Sequence, residues 1–236
     1  MRRKRPIAML TAAVLLAAHG VAVANIAMPR GKWTELRMVR EHVRIVMAPT
    51  RVAVEGTYIL RNTGKAVEAV VGYPQGMLEE SLDDFRVTVD GKPVEKINTE
   101  EGWGRSAYRN ADKKPGKPVK LPYQFTGPYP AWKTWTMKFD EKQTRTVVVR
   151  YHVAPTEIKT VDRGKLLAFI YILKTGATWK GNIEKAVVEV HLTGLSRDRL
   201  VTVSPPADTR TGGVLVWVFK NFKPTRDLEI TFRPKK

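Results

Sequence analysis

The chain has 236 residues, no cysteine, and a formal net charge of +18, from 41 Lys and Arg against 23 Asp and Glu. Without cysteine it can have no disulfide framework, no lipid-modified amino-terminal Cys and no Cys nucleophile, so an ordinary hydrophobic core must carry the fold. So strong a positive field favours anionic partners, and it equally serves to keep an exported chain soluble.

In chain order, Arg2, Arg3, Lys4 and Arg5 precede an apolar run over residues 7–18 and the small-residue end Ala22-Val23-Ala24. Basic, apolar and small is the order of a secretory signal, which places the cut between Ala24 and Asn25. An uncleaved anchor is the alternative, but His19 and Gly20 interrupt the run short of the ~20 apolar residues that a spanning helix requires. The longest later apolar run covers only residues 166–173, so no transmembrane segment is expected after signal removal. Loss of the four signal-peptide cations from the +18 leaves +14 on a chain expected in the periplasm or the extracellular medium.

From residue 43 onward apolar residues recur at period two, the mark of strands with one face in a core. Val43, Ile45 and Met47, then Val52, Val54, Tyr58 and Leu60 with Gly56 in the same register, predict a hairpin broken at Pro49-Thr50. Phe85, Val87 and Val89 predict a strand that turns at Asp90-Gly91, a pair suited to positive φ. Trp135, Met137 and Phe139 predict another, and Val147, Val149, Tyr151 and Val153 a further one. Residues 166–173 are apolar throughout and rich in aromatic and β-branched side chains, as in a central strand buried on both faces. Strands follow over residues 186–192, 200–203, 214–219 and 228–232, and no amphipathic helix intervenes. The fold class is therefore all-β: an antiparallel β-sandwich, either one large or two consecutive ones. The organisation expected is a signal over 1–24, a first sandwich unit over 25–154, a connection over 155–164, and a second unit or the completion of the first over 165–236.

Residues 102–131 break the rhythm with five prolines and no alternation, so they form a long loop. Arg105, Arg109, Lys113, Lys114 and Lys117 crowd this loop beside Trp103 and Tyr108. Cations beside flat aromatic faces suit an anionic polymer or a glycan. The same residues also suit a loop that its aromatics dock and its lysines solvate.

Catalytic signatures are missing: there is no G-x-S-x-G elbow, no H-E-x-x-H helix and no phosphate loop. His42, His152 and His191 fall at the polar parity of their strands and so point outward, without the spacing of a zinc ligand set. Glu79, Glu80, Asp83 and Asp84 lack the glycine-spaced pattern of a calcium loop and read as a solvated turn. No metal or cofactor is implied, and no specific recognition of nucleic acid.

Several phrases resemble an exported bacterial β-sandwich family of unknown function, the domain of unknown function forty-four twenty-four type. They are Glu41-His42-Val43-Arg44-Ile45, Tyr58-Ile59-Leu60-Arg61-Asn62-Thr63-Gly64 and Val70-Val71-Gly72-Tyr73-Pro74. Tyr171-Ile172-Leu173-Lys174-Thr175-Gly176, Trp179-Lys180-Gly181 and the run from Val216 through Asn221 to Pro224 fit the same pattern. The resemblance implies an extracytoplasmic β-sandwich and carries over no catalytic or binding residue. Three functions stay open on the sequence. The first is a non-enzymatic envelope accessory that binds an anionic polymer, a glycan or another exported protein. The second is a carbohydrate-active or metal-dependent hydrolase built from the histidines and the carboxylates of residues 79–84. The third is a structural subunit that associates through a sheet edge.

Overall fold

The computed structural model describes residues 21–24, 26–27, 35–75, 82–101, 131–160 and 163–235. Period-two patterning becomes strand after strand: β1 (Val21–Ala24), β2 (Leu36–Met47), β3 (Val52–Asn62), β4 (Val67–Gln75), β5 (Asp83–Val89), β6 (Lys92–Pro93), β7 (Asn98–Glu101) and β8 (Ala131–Phe139). The rest are β9 (Thr144–Val153), β10 (Thr156–Thr160), β11 (Gly164–Ile172), β12 (Ile183–Leu192), β13 (Leu200–Ser204), β14 (Thr209–Thr211), β15 (Val214–Phe222) and β16 (Leu228–Phe232). Among the described residues the only helical turns are two short 3-10 segments, Lys174–Thr178 and Arg197–Arg199.

Three sheets result. The largest has eight strands in the order β14-β15-β12-β2-β3-β9-β5-β6, a second has β1-β11-β16-β13 with β10 also on β11, and a third has β4-β8-β7. Pairing is mostly antiparallel, as expected, but β12 runs parallel to β2 and β1 parallel to β11. The β2–β12 pair joins strands that lie on either side of residues 155–164 in the sequence. Parallel neighbours need a long crossover, which the strand patterns themselves do not encode.

The β2–β3 hairpin closes with Met47 opposite Val52. Asp90 (φ 51) and Gly91 (φ 79) both take positive φ in the turn between β5 and β6, the conformation of a tight two-residue hairpin loop. β11 pairs with β16 along one edge and with β10 and β1 along the other; along its apolar run Leu166, Ala168, Phe169, Tyr171 and Ile172 are buried and Leu167 and Ile170 half-buried.

The two smaller sheets pack on one face of the eight-stranded sheet, and tyrosines mark both seams. The Tyr58 hydroxyl of β3 lies 3.0 Å from that of Tyr171 on β11, and Tyr73 of β4 donates to the Tyr151 hydroxyl of β9 at 2.7 Å. All four side chains are buried, and desolvation pushes each phenol well above its ordinary value, so they remain neutral donors. One hydrophobic cluster runs from Ile26 to Phe232 through all three sheets.

The Asn62-Thr63-Gly64 phrase has a packing role. Asn62, fully buried, donates to the carbonyls of Lys65 and Asp140 and accepts from the Gly64 N–H, which ties the β3–β4 turn to the end of β8. In the same way the Lys223 ammonium donates to the Trp179 and Gly181 carbonyls, both at 3.0 Å, and its burial holds its pKa below the usual lysine value.

Candidate functional site

A bulge in β2 decides what each face of the large sheet presents. The β2–β3 register shifts between Met38 and Arg40, so Arg40 turns outward while Glu41 turns into the core with Val43 and Ile45. The inward Glu41 is 2% exposed and accepts from the Tyr171 hydroxyl at 3.3 Å. A buried carboxylate needs such donors to offset its desolvation. It strengthens the tyrosine seam, and it stands where the strict alternation of the sequence leads one to expect an apolar residue.

The outward face carries the polar chemistry. Register places Arg40 beside Lys185 and Lys185 beside Lys220, three cations in one row on β2, β12 and β15. All three are exposed, and none makes an ion pair or a side-chain hydrogen bond among the described residues. Neighbouring strands stand only about 4.8 Å apart, and like charges directly opposite one another are unfavourable. A second row on the same face, Arg150, Glu55, Arg44 and Glu189, alternates in sign instead. There Arg150 donates to Glu55 at 2.6 Å.

Between the two rows lies a shallow hollow of about 320 Å³, bounded by Arg40, Glu41, His42, Lys185 and Glu189 and by the uncharged residues Thr57, Ile59 and Val187. His42 Nε2 lies 3.0 Å from Glu189 Oε1, and His191 Nε2 lies 3.2 Å from Glu189 Oε2. The hydrogen bond from His42, then that from His191, holds the Glu189 carboxyl below the usual glutamate value. Glu189 therefore stays ionised and hydrogen-bonded by the two imidazoles, while Arg40 and Lys185 face the hollow without an ion-pair partner among the described residues. The hollow suits an anionic group resting on a partly apolar floor.

His42, His152 and His191 all lie on this outer face, as parity predicts, but not at one point. His152 and His191 share a row yet are separated by β3 and β2. His152 Nδ1 is 3.4 Å from Asp84 Oδ2, poorly aligned for a hydrogen bond, and Arg51 approaches the same carboxylate at 3.6 Å. Among the described residues no group of three His, Cys, Asp or Glu is arranged to hold a metal ion. Asp83 and Asp84 open β5, with Asp84 at φ 52, whereas Glu79 and Glu80 lie outside the described residues. Also outside them are Trp103, Arg105, Tyr108, Arg109, Lys113, Lys114 and Lys117 of the basic loop, and Asn25 of the expected cleavage site; Ala24 is the last residue of β1.

Sequence reading misses the cationic row because its members are 145 and 35 positions apart along the chain and only the parallel β2–β12 pairing unites the first two. The usable signal was the outward parity of Lys185 and Lys220 on their strands.

Among solved structures the fold is similar to that of a candidate nutrient binding protein from Legionella pneumophila. The TM-score is 0.62 at 17% identity, over 90% of this chain and 71% of that one. A looser likeness reaches an M1 zinc metallopeptidase from Deinococcus radiodurans (TM-score 0.40, 8% identity, 87% of this chain and 44% of that one) and native yeast LTA4 hydrolase (0.40, 7%, 84% and 29%). The chain spans less than half the length of either enzyme. At these identities the likeness concerns the fold alone. No family model and no curated protein matches the chain. Among the described residues no helix is long and apolar enough to cross a membrane.

Proposed function

We propose that this chain is an exported, non-enzymatic accessory protein of the bacterial envelope that holds an anionic group of an envelope polymer or glycan on the outer face of its eight-stranded sheet. The observation that carries this reading is the row Arg40, Lys185 and Lys220, three exposed cations set side by side without ion-pair partners among the described residues. A row that costs stability through its own repulsion, beside a hollow with a partly apolar floor, is accounted for by a ligand that supplies the missing negative charge. The signal-like amino terminus and the resemblance to exported proteins of unknown function support the location. The description of the Legionella protein as nutrient-binding belongs to that protein; it is compatible with a binding role on this fold.

The test is binding to lipopolysaccharide, teichoic acid and heparin as a function of NaCl, for the native chain and for a triple variant, Arg40→Gln, Lys185→Gln and Lys220→Gln. Exposed ion pairs contribute up to about 1 kcal/mol each, so the triple change is expected to weaken binding roughly tenfold or more at low salt. The native affinity should fall steeply as salt rises. Relief of the like-charge row should leave the melting temperature unchanged or raised, which separates lost binding from lost fold. Binding that ignores both salt and the triple change refutes the reading.

A further inference from the structure

β1 occupies an unusual position. It pairs in parallel with β11 from Val21 opposite Phe169 to Ala24 opposite Ile172, while β10 covers the same edge of β11 only as far as Ala168. The other edge of β11 is taken by β16. β1 also runs beside β4, and just beyond it Ala27 exchanges both backbone hydrogen bonds with Gly72 of β4, at 2.8 and 2.9 Å. It therefore fills a one-strand gap between the five-stranded and three-stranded sheets. The gap is bordered by core: Phe169, Tyr171 and Ile172 on β11, and Val71 and Tyr73 on β4, are each at most 2% exposed.

The strand that fills this gap is also the end of the expected signal. A cut between Ala24 and Asn25 removes all of β1 but leaves its neighbours anchored: Ile26 is fully buried, and its carbonyl accepts from the Trp179 indole N–H at 3.0 Å. The exported chain is then missing one strand from an otherwise complete layer.

We propose, resting on cleavage between Ala24 and Asn25, that the exported chain presents this gap as a docking slot for an extended apolar segment of another exported protein, which pairs parallel to β11 where Val21–Ala24 stood. An open strand edge recruits a strand through main-chain hydrogen bonds, and alternating side chains supply the selectivity. The segment that the slot fits is given by β1 itself, Val-Ala-Val-Ala: small, uncharged and free of proline. The slot is remote in the fold from the cationic row, which lies on the outer face of the other layer, so a polymer and a protein partner can be held at once.

The test uses the chain that begins at Asn25 and a synthetic peptide of residues 19–24, His-Gly-Val-Ala-Val-Ala. The control peptide carries Ala22→Pro and Val23→Pro, which breaks the ladder whichever N–H groups face β11. At a peptide concentration about 100 times Kd, the melting temperature should rise by about 5–10 °C with the native peptide and not with the proline peptide. A chain that begins at Val21 should respond to neither. If the chain from Asn25 does not unfold cooperatively by itself, the native peptide should restore cooperative unfolding. The proposal is overturned by a native peptide that neither stabilises nor restores the chain, by an equal response to the proline peptide, or by a mass for the exported protein showing that residues 21–24 are retained. None of these results bears on salt-dependent polymer binding, so the two readings fail separately.

Discussion

Gly56→Ala probes how the tyrosine seam is built. Gly56 lies on β3 at the core parity of Val54 and Tyr58, and the Tyr58 ring folds back over it. An ideal Cβ at Gly56 would stand 2.2 Å from Tyr58 Oη, 2.6 Å from Cζ and 2.8 Å from Cε2. β3 is held on both sides, by β2 and β9, so the backbone cannot yield and the ring must swing. Overpacking of this kind costs about 1–3 kcal/mol, and loss of the Tyr58–Tyr171 hydrogen bond adds about 1. The reduced freedom of the unfolded chain returns roughly 0.5 kcal/mol. The expected net loss is about 3 kcal/mol, or a fall of about 6–12 °C in melting temperature for a chain of this size. Urea unfolding of a double-mutant cycle locates the cause. In a Tyr58→Leu background the ring is gone and Gly56→Ala should cost almost nothing, whereas Tyr58→Phe keeps the two ring carbons and most of the clash. A Gly56→Ala protein as stable as the native one, or an equal loss in the Tyr58→Leu background, would refute the account.

Two further outcomes follow from single carboxylates. Asp90 is partly desolvated, yet the Thr146 backbone N–H at 2.8 Å and the Arg145 guanidinium at 2.8 Å outweigh that and hold its pKa below the ordinary aspartate value. Asp90→Asn, which tolerates the positive φ, should lose about 1 kcal/mol in urea unfolding, and Asp90→Ala, which tolerates it less well, about 2; equal losses would remove the backbone from the explanation. Glu189 is also depressed, by His42 first and His191 second. A folded value below the unfolded one stabilises the chain fully above the unfolded pKa, and that stabilisation is lost as pH falls through the folded value. The stability gap between native protein and Glu189→Gln, followed by thermal unfolding, should be widest above the ordinary glutamate range and close as pH falls below it; a gap that does not narrow contradicts the pairing.

Strand identity was legible because each strand carries its own evidence. Val147, Val149, Tyr151 and Val153 announce β9 without reference to any other segment, and Asp90-Gly91 specifies its turn from two residues. Which strands become neighbours is another matter. The pattern of β12 is the same whether it lies beside β2 or elsewhere, so the parallel β2–β12 pair could not be read from either strand. The bulge at Val39 is equally silent. A strict period of two would place Arg40 on the same face as Met38, and one extra residue reverses that.

That single reversal links the core to the candidate site. Because the register slips after Met38, the segment Arg40-Glu41-His42 presents a cation outward, a carboxylate inward and an imidazole outward. Inward, Glu41 receives the Tyr171 hydroxyl and fastens the two layers. Outward, Arg40 completes the row with Lys185 and Lys220, and His42 hydrogen-bonds Glu189, which forms no ion pair with the row. If the alternation ran on unbroken from Leu36 through Met38 and Val39, Arg40 would turn inward and Glu41 outward, and Val43, Ile45 and Met47 would leave the core with it. The extra residue at Val39 therefore lets Leu36 and Met38 share the core face with Glu41, Val43 and Ile45 while Arg40 and His42 face outward. A variant that deletes Val39 removes the extra residue, leaves Arg40 outward and Glu41 inward, and should keep polymer binding, whereas Lys185→Gln and Lys220→Gln should lessen polymer binding and spare the fold.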